Sequence, residues 1–549
     1  MIISQLLKNI SKGEWRFVLL ITAIAVLLST LPYFYGYFIS ADYFLWSNYT
    51  NFGDISVYES LINQAATGRL FFDNLFTSEF KNSFFFQPLF LALGLFSRIT
   101  GISSALTLQL GRIFLASLFL VFSYIFIAYF LNSKLARKIC FLLMCFGAGI
   151  GALVSPPYHQ LISYLGHREL FLTTPADLYL PEANIFSNIF YSPLLPLALL
   201  LDLLVLYLFI NTDLKLSRRL ATALYFLVVF LGFIHPFDLI ALAAITSFFV
   251  GLIILRQFLT NQKQESLKLY LAKFLIIVLA IISSAIYYLV LIKFDPSFSS
   301  WSSQNITESP PLANMLLGYG FLFLLAVLSL ARLNFKDNKN IFLVSWIFII
   351  LFFAYIPFQY QRRLLSSVFI PICILAALVL SLGLEFLFRR LKNNFFRFSL
   401  ILLIILLFSL SNISTVWSNV VLYNQPDGGF YLSKDYFGAL EWFKDKEDQV
   451  ILATPFISNS VPAISLNKVY VGHVIQSFEY ERKYKEVKDW FFKSNIDDFA
   501  KQEWLFRQNI DYIIFGPLEK SLGNFNPGQK NYLKRIYLNS TVAIYQVVN

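Results

Sequence analysis

Apolar runs of roughly 20 residues recur from residue 17 to residue 417, and they restrict the possible folds more than any other feature of the chain. One such run crosses a hydrocarbon core of about 30 Å as a helix. Because unpaired backbone groups are costly in lipid and the runs do not alternate with polar residues, they predict helices rather than barrel strands. With 57% hydrophobic and only 14% charged residues, the chain is predicted to be a polytopic α-helical membrane protein.

Basic residues form short clusters between the apolar runs, and such clusters mark cytoplasmic loops. We interpret the net charge of +11 as the result of these topology-determining clusters. We expect no nucleic acid as a partner, since no recognition motif accompanies the charge. The pattern predicts a multi-pass protein of the cytoplasmic (inner) cell membrane, with the N-terminus inside and the C-terminus outside. The eleven predicted transmembrane helices are 17–39, 103–131, 138–155, 185–210, 219–235, 237–255, 270–292, 314–331, 341–357, 365–386 and 398–417.

The apolar stretch 84–101 is left out of this set, because a full crossing there would place the basic cluster 134–138 outside. The stretch is short, contains Pro88 near its start and has Arg98 near its end, which favours a helix in the outer membrane interface. A full crossing remains the alternative. The run 17–39 is too long for a signal-peptide core and is interpreted as an uncleaved first transmembrane helix.

The composition changes near residue 418, where Lys, Glu, Asp and Asn become frequent. We therefore predict a transmembrane domain, 1–417, and a soluble extracytoplasmic domain, 418–549. In the second domain, short strand candidates alternate with helical patterns, which is typical of a small α/β fold. The strand candidates are VILATPF, KVYVGH, DYIIFGP and TVAIYQV.

The first outer loop, 40–102, concentrates acidic residues in a chain that has few of them. They are Asp42, Asp54, Glu59, Asp73 and Glu79. Within GDISVYESLINQAATGRL, Asp54 and Tyr58 share helical spacing with apolar residues, which predicts a short amphipathic helix on the membrane surface. Asp54 is either the N-cap of this helix or a general base that takes a proton from an acceptor hydroxyl or amine.

Metal binding is the less favoured interpretation of the second outer loop. His159 and His167 have acids nearby but lack compact ligand spacing, so substrate contact by this loop is the simpler hypothesis. The cysteines lie inside apolar runs, which excludes a disulfide framework and a zinc site built from them. They are Cys140, Cys145 and Cys373. We expect no cofactor, with a divalent metal as the alternative.

Charged residues near or within the apolar runs are further candidates. Arg112 and Asp202 lie inside such runs, where ionisable groups are costly and often functional. His235, in GFIHPFD, lies at an outward turn, where a helix-ending hydrogen bond is the structural alternative. Arg362 and Arg363 lie together at an outer helix end, although basic residues usually gather on the cytoplasmic side. A guanidinium group suits phosphate oxygens. Anchoring to lipid headgroups is the alternative for this pair.

Three segments together resemble the C-type glycosyltransferase (GT-C) superfamily of polytopic membrane enzymes. They are GDISVY, then QPLFLALGLFSRITGIS with LQLGRIF, and YQRRLLSSVFIP. The resemblance covers the order of the apolar helices and outer loops over 1–417. It is closest to the protein O-mannosyltransferase and aminoarabinose-transferase branch. It implies transfer of a sugar from a polyprenyl-phosphate donor to a lipid, glycan or protein acceptor at the outer membrane face, with inversion.

The resemblance also implies roles for individual residues. Asp54 would be the catalytic acid of the first loop, and Arg362 or Arg363 would hold the donor phosphate. Arg112 would match the arginine early in the second transmembrane helix. The family's second-loop acid must be sought in Glu182 or Asp177, and Tyr58 and His235 complete the predicted substrate-binding set.

Two other classes of function remain as alternatives. A lipid or glycan transporter would need polar residues along several helices and often a repeated layout, whereas the acids here gather on one predicted face. A non-catalytic scaffold of envelope assembly would need neither Asp54 nor the arginine pair.

Overall fold

The computed structural model describes residues 10–79, 84–154, 174–261, 266–391, 393–425, 429–494 and 497–548. His159 and His167, the metal-ligand candidates, lie outside the described residues. Helices dominate the described part, and a mixed sheet lies near the C-terminus. The predicted class, a helical membrane protein with a C-terminal α/β part, is confirmed.

The α-helices follow the apolar runs in the first three quarters of the chain and are short beyond residue 430. In chain order they are α1 (Lys12–Ile39), α2 (Asp54–Ala66), α3 (Pro88–Thr100), α4 (Ser104–Phe130), α5 (Lys134–Phe146), α6 (Gly151–Val154), α7 (Ile185–Tyr191), α8 (Leu194–Ile210), α9 (Arg218–Ile234), α10 (Pro236–Thr260), α11 (Leu267–Phe294), α12 (Pro296–Gln304), α13 (Leu312–Ser329), α14 (Asn338–Phe353), α15 (Phe369–Arg390), α16 (Asn394–Phe408), α17 (Leu410–Tyr423), α18 (Lys434–Glu441), α19 (Pro455–Ser465), α20 (Tyr480–Lys485), α21 (Asp498–Arg507) and α22 (Pro517–Ser521). A π-helix covers Glu486–Phe491, and 3₁₀ turns cover Ala176–Leu178, Pro181–Ala183, Leu330–Arg332, Gln361–Ser367 and Pro527–Gln529.

Six helices of the described part are long and apolar enough to cross a membrane, namely α1, α4, α10, α11, α13 with its 3₁₀ extension, and α15. A seventh crossing results if α16 and α17, which meet at a bend of 60°, form one broken span. Three shorter apolar helices, α3, α8 and α14, fall below the length of a full span. The chain is thus a multi-pass membrane protein, while the number eleven stays a prediction.

Three of the predicted continuous helices are each divided into two helices, which corrects their bounds. The run 398–417 is divided at Ser409 between α16 and α17. The run 138–155 contains the end of α5 and the start of α6, and the run 185–210 is divided at Pro193 into α7 and α8. Proline has no backbone N–H and its ring clashes with a preceding helical turn. The apolar pattern continues through such a break, so hydropathy alone did not reveal it.

The described chain divides into two compact units, each built from three sequence segments. The first unit comprises Met1–Pro32, Gln109–Tyr287 and Ile306–Leu422. The second comprises Tyr33–Leu108, Tyr288–Asn305 and Tyr423–Asn549. Within the first unit, α15 packs against α5 and α13, and α10 packs against α14. The predicted boundary near residue 418 stays a prediction.

The second unit is built on a five-stranded sheet with the order β4-β3-β5-β7-β6. Its strands are β3 (Val450–Leu452), β4 (Lys468–Val469), β5 (Tyr512–Phe515), β6 (Leu533–Leu538) and β7 (Ala543–Val547). A separate two-stranded sheet contains β1 (Tyr43–Phe44) and β2 (Tyr431–Leu432). The strand β3 is parallel to β4 and β5, whereas β7 is antiparallel to β5 and β6. The sequence predicted β3, β4, β5 and β7, but neither β6 nor α19.

The first outer loop is part of this second unit. Its strand β1 pairs with β2, with Tyr43 opposite Leu432, and α2 packs against α19 and α3. The α2–α3 contact is close because Gly94 has no side chain: a Cβ atom there would lie 2.3 Å from Ala65 Cβ. Both predicted loop helices therefore form, and their position in the membrane interface stays a prediction.

Candidate active site

Asp54 is the first residue of α2, and the N-cap position belongs to Gly53. Gly53 has φ of 97°, a backbone conformation in the range that favours glycine. The structure thus counts against Asp54 as the N-cap residue. A carboxylate in the first helical turn still interacts favourably with the helix dipole. About a third of the Asp54 side chain (35%) is exposed, so the carboxylate is within reach of a substrate.

His473 is the histidine that contacts Asp54, and sequence analysis missed it. Its Nε2 lies 3.2 Å from Asp54 Oδ1. Its Nδ1 accepts hydrogen bonds from the backbone N–H groups of Ile475 at 3.2 Å and Gln476 at 3.3 Å. Because Nδ1 acts as an acceptor, the proton of the neutral ring is on Nε2 and points to the carboxylate. The imidazole therefore holds Asp54 in one orientation without needing a charge.

His473 both orients Asp54 through Nε2 and accepts backbone hydrogen bonds through Nδ1. We expect His473→Asn to remove the first contact and to keep the second. The shorter Asn side chain can accept from the same backbone N–H groups as an Asx turn, but it does not extend to Asp54. Losing one hydrogen bond to a charged group costs about 1.5–3 kcal/mol, so the turnover number of a reaction that uses Asp54 as a base should fall about 10- to 100-fold. The KM values and the thermal unfolding temperature should change little. An unchanged turnover number would show that His473 does not position Asp54.

Glu59, five residues further along α2, is a buried acid near Tyr43. Burial raises the pKa of Glu59 to about 8. The folded chain thus binds this proton more tightly than the unfolded chain, so the stability that Glu59 contributes is greatest at low pH. It is lost as the pH rises from about 4.5 towards 8, by an amount on the order of 4 kcal/mol.

Glu59→Gln should reduce that loss, because the amide stays neutral at every pH. Thermal unfolding of the purified protein at pH 5 and pH 8.5 measures the effect. The matched control is Glu503→Gln, since Glu503 is exposed on α21 and its charge is already solvated. Equal stability losses in Glu59→Gln and the unmodified protein would contradict the prediction.

In the first unit, the structure brings Glu182, Arg362 and Arg363 together. Glu182 Oε1 lies 3.0 Å from Arg363 Nη1 and 3.8 Å from Arg362 Nε. Burial raises the pKa of Glu182, but the two guanidinium groups outweigh burial and hold this pKa below its ordinary value. Glu182 is thus a buried carboxylate between two cations. The three residues carry a net charge of +1, which favours an anionic ligand.

His235 belongs to a second polar group in the same unit. Its Nδ1 lies 2.8 Å from Asp238 Oδ2, and Asp202 is a second buried acid close to Asp238. The ring of His235 also contacts Phe237, which in turn lies 5.9 Å from the Arg363 guanidinium.

Asp177 makes a different set of contacts from Glu182. Its Oδ2 accepts a hydrogen bond of 3.2 Å from the backbone N–H of Gly151, and the N–H of the next residue, Ala152, donates to Ser411 Oγ at 3.0 Å. Burial raises the pKa of Asp177 to about 7. These contacts tie α6 to the 3₁₀ turn that carries Asp177 and to α17. Of the two acids considered for the second loop, Glu182 is the one that contacts the arginine pair.

Arg112 and Tyr58 lie in packed surroundings. The Arg112 guanidinium is buried and donates to Ser29, Thr30, Gln109 and the carbonyl of Ile189 over 2.8–3.3 Å. These bonds join α4 to α1 and α7, which is a structural function. The Tyr58 ring stacks on Phe90 at 5.0 Å. Substrate contact by Arg112, Tyr58, Asp177 or His235 stays a prediction.

A divalent metal was the alternative to a site without a cofactor. Across the described ranges, no group of three or more His, Cys, Asp or Glu side chains could hold a metal ion. We therefore name no metal-binding residues.

Comparison with solved structures identifies the fold. The chain resembles the oligosaccharyltransferase AglB from Archaeoglobus fulgidus, solved with an inhibitory peptide and a dolichol-phosphate, with a TM-score of 0.56, 14% identity, and 92% of this chain and 70% of that chain covered. It resembles ArnT from Cupriavidus metallidurans bound to undecaprenyl phosphate with a TM-score of 0.53, 10% identity and 98% of each chain covered. For the mycobacterial arabinofuranosyltransferase AftD the TM-score is 0.56 at 12% identity, with 97% of this chain and 40% of that chain covered.

No protein-family model and no curated protein sequence matches the chain. The similarity to solved structures therefore concerns the fold. That fold is the one found in GT-C membrane glycosyltransferases, and the resemblance inferred from the three sequence segments is confirmed at this level.

Proposed function

We propose that this chain is a membrane glycosyltransferase that takes a sugar from a polyprenyl-phosphate donor and transfers it to an acceptor at the outer membrane face. The observation that carries the proposal is the pairing of Glu182 with Arg362 and Arg363 in a chain with the GT-C fold. A net positive group of this kind suits the phosphate that leaves the sugar. Lipid-phosphate ligands in AglB and ArnT support the donor class.

The proposed reaction is a single displacement with inversion. Asp54, oriented by His473, accepts the proton of the acceptor hydroxyl or amine as this group attacks the anomeric carbon. The bond between the anomeric carbon and the phosphate oxygen breaks, and Arg362 and Arg363 stabilise the departing lipid phosphate. Membrane lipids around the protein are further proposed partners. The N-terminus would be cytoplasmic and the C-terminal domain extracytoplasmic.

A transfer assay tests this function. The purified protein in lipid nanodiscs is mixed with undecaprenyl phosphates that carry different ¹⁴C-labelled sugars, and with membranes from cells that lack this chain. We expect label to move from one of the donors to a membrane acceptor, with release of undecaprenyl phosphate. Failure of every donor, together with no measurable binding of undecaprenyl phosphate, would refute the proposal.

A further inference from the structure

A cavity of about 450 Å³ lies beside Asp54 within the second unit. Gly53, Ile55 and Ser56 line it from the start of α2, and His473 lines it from the turn after β4. Its volume falls within the range of about 300–1,000 Å³ that is usual for small-ligand sites. The cavity therefore lies beside the residue that we propose as the base, although Asp54 itself is not one of its lining residues.

The described residues that line the cavity are hydroxyl-bearing side chains set among apolar ones, with one basic side chain. Seven lining residues carry hydroxyls, and the only lysine among the lining residues is Lys488. The hydroxyl-bearing residues are Ser47, Ser56, Thr454, Ser460, Tyr480, Tyr484 and Ser521. This composition suits a ligand with many hydroxyl groups of its own and a negative charge.

An aromatic pair and a cation lie together at one side of the cavity. The rings of Tyr480 and Tyr484 are 5.6 Å apart. The Lys488 ammonium lies 5.4 Å from the centre of the Tyr484 ring and 3.3 Å from its hydroxyl. Among the described residues, no carboxylate lies within ion-pair distance of Lys488. Tyrosine rings suit the apolar faces of sugars, and the ammonium suits an anionic group.

We propose that this cavity binds the acceptor, and that the acceptor is a carbohydrate with an anionic group, either a carboxylate or a phosphate. This inference rests on the proposed transferase function and names the acceptor class for it. Lys488 binds the anionic group and the tyrosine pair contacts a sugar ring. A hydroxyl on the part of the same ligand that extends past His473 loses its proton to Asp54 as its oxygen bonds to the anomeric carbon of the donor sugar, and the lipid phosphate leaves.

Equilibrium binding to the nanodisc protein, without any donor, tests the cavity by itself. Cellobiuronic acid and 6-phosphocellobiose are the anionic probes, and cellobiose is the neutral probe of the same size. We expect at least one anionic probe to bind about tenfold more tightly than cellobiose. Lys488→Met should abolish this preference. The matched control, Lys485→Met, changes an exposed lysine of α20 that does not line the cavity and should keep it.

Equal affinities for all three probes, or an unchanged preference in Lys488→Met, would overturn the inference, and so would the absence of binding by all three. Undecaprenyl phosphate binding is measured in parallel. A protein that binds undecaprenyl phosphate and transfers sugar but shows no preference for an anionic disaccharide would retain the proposed function and lose only the acceptor assignment.

Discussion

Asp54→Asn should lower the turnover number for sugar transfer by roughly 10²- to 10⁴-fold, the usual contribution of a positioned general base. The amide has nearly the same shape as the carboxylate, and its oxygen can still accept a hydrogen bond from His473 Nε2. It cannot take up the acceptor proton at neutral pH. Initial rates with saturating donor and acceptor measure the effect, and donor binding should remain within about twofold.

Asp42→Asn is the matched control for this variant. Asp42 lies in the same outer loop and is exposed, and its Oδ1 accepts from the backbone N–H of Lys434. An amide oxygen can accept the same bond, so the control should keep full activity. Full activity in purified Asp54→Asn protein would exclude Asp54 as the base.

Arg362→Gln should raise the donor KM about 10- to 100-fold, since a hydrogen bond to a charged group contributes about 1.5–3 kcal/mol. Arg362 is the better test of the pair, because its side chain is 32% exposed against 18% for Arg363. Arg363 also makes the shorter contact with Glu182, and its loss would leave that buried acid poorly paired. Initial rates with varied undecaprenyl-phosphate sugar give the donor KM.

The acceptor KM of Arg362→Gln should stay within about twofold of the unmodified value. Arg219→Gln is the matched control, because Arg219 is an exposed arginine at the start of α9. Its removal should change neither constant. Equal increases in the donor and acceptor KM of Arg362→Gln, or no increase in either, would contradict a phosphate-binding function.

The sequence could predict the fold class because hydropathy depends on residue type and needs no contact. Long apolar runs predicted α1, α4, α10, α11, α13 and α15, all of which are long enough to cross a membrane. The same signal did not show the breaks at Pro193 or after α5, since apolar residues continue on both sides. The number of crossings depends on such breaks, which is why hydropathy and the observed helix lengths give different numbers.

The candidate site was only partly accessible from sequence. Asp54, Glu182, Arg362 and Arg363 could be chosen because charged residues are conspicuous beside apolar runs. His473 could not, because it follows Asp54 by more than 400 positions and stands after a short strand with no motif of its own. One signal was available, since the chain has only 4 histidines, and each of them could have been weighed as a partner for the acids.

By itself, the sequence determined that the chain is a helical membrane protein with acids and an arginine pair between its apolar runs. These properties follow from composition and spacing along one chain. Only the tertiary structure decided that Asp54 contacts His473, that Glu182 rather than Asp177 meets the arginines, and that β1 of the first outer loop pairs with β2 in a two-stranded sheet of its own. Such pairings join residues far apart in sequence, and packing and strand register select them, whereas local patterns do not record them.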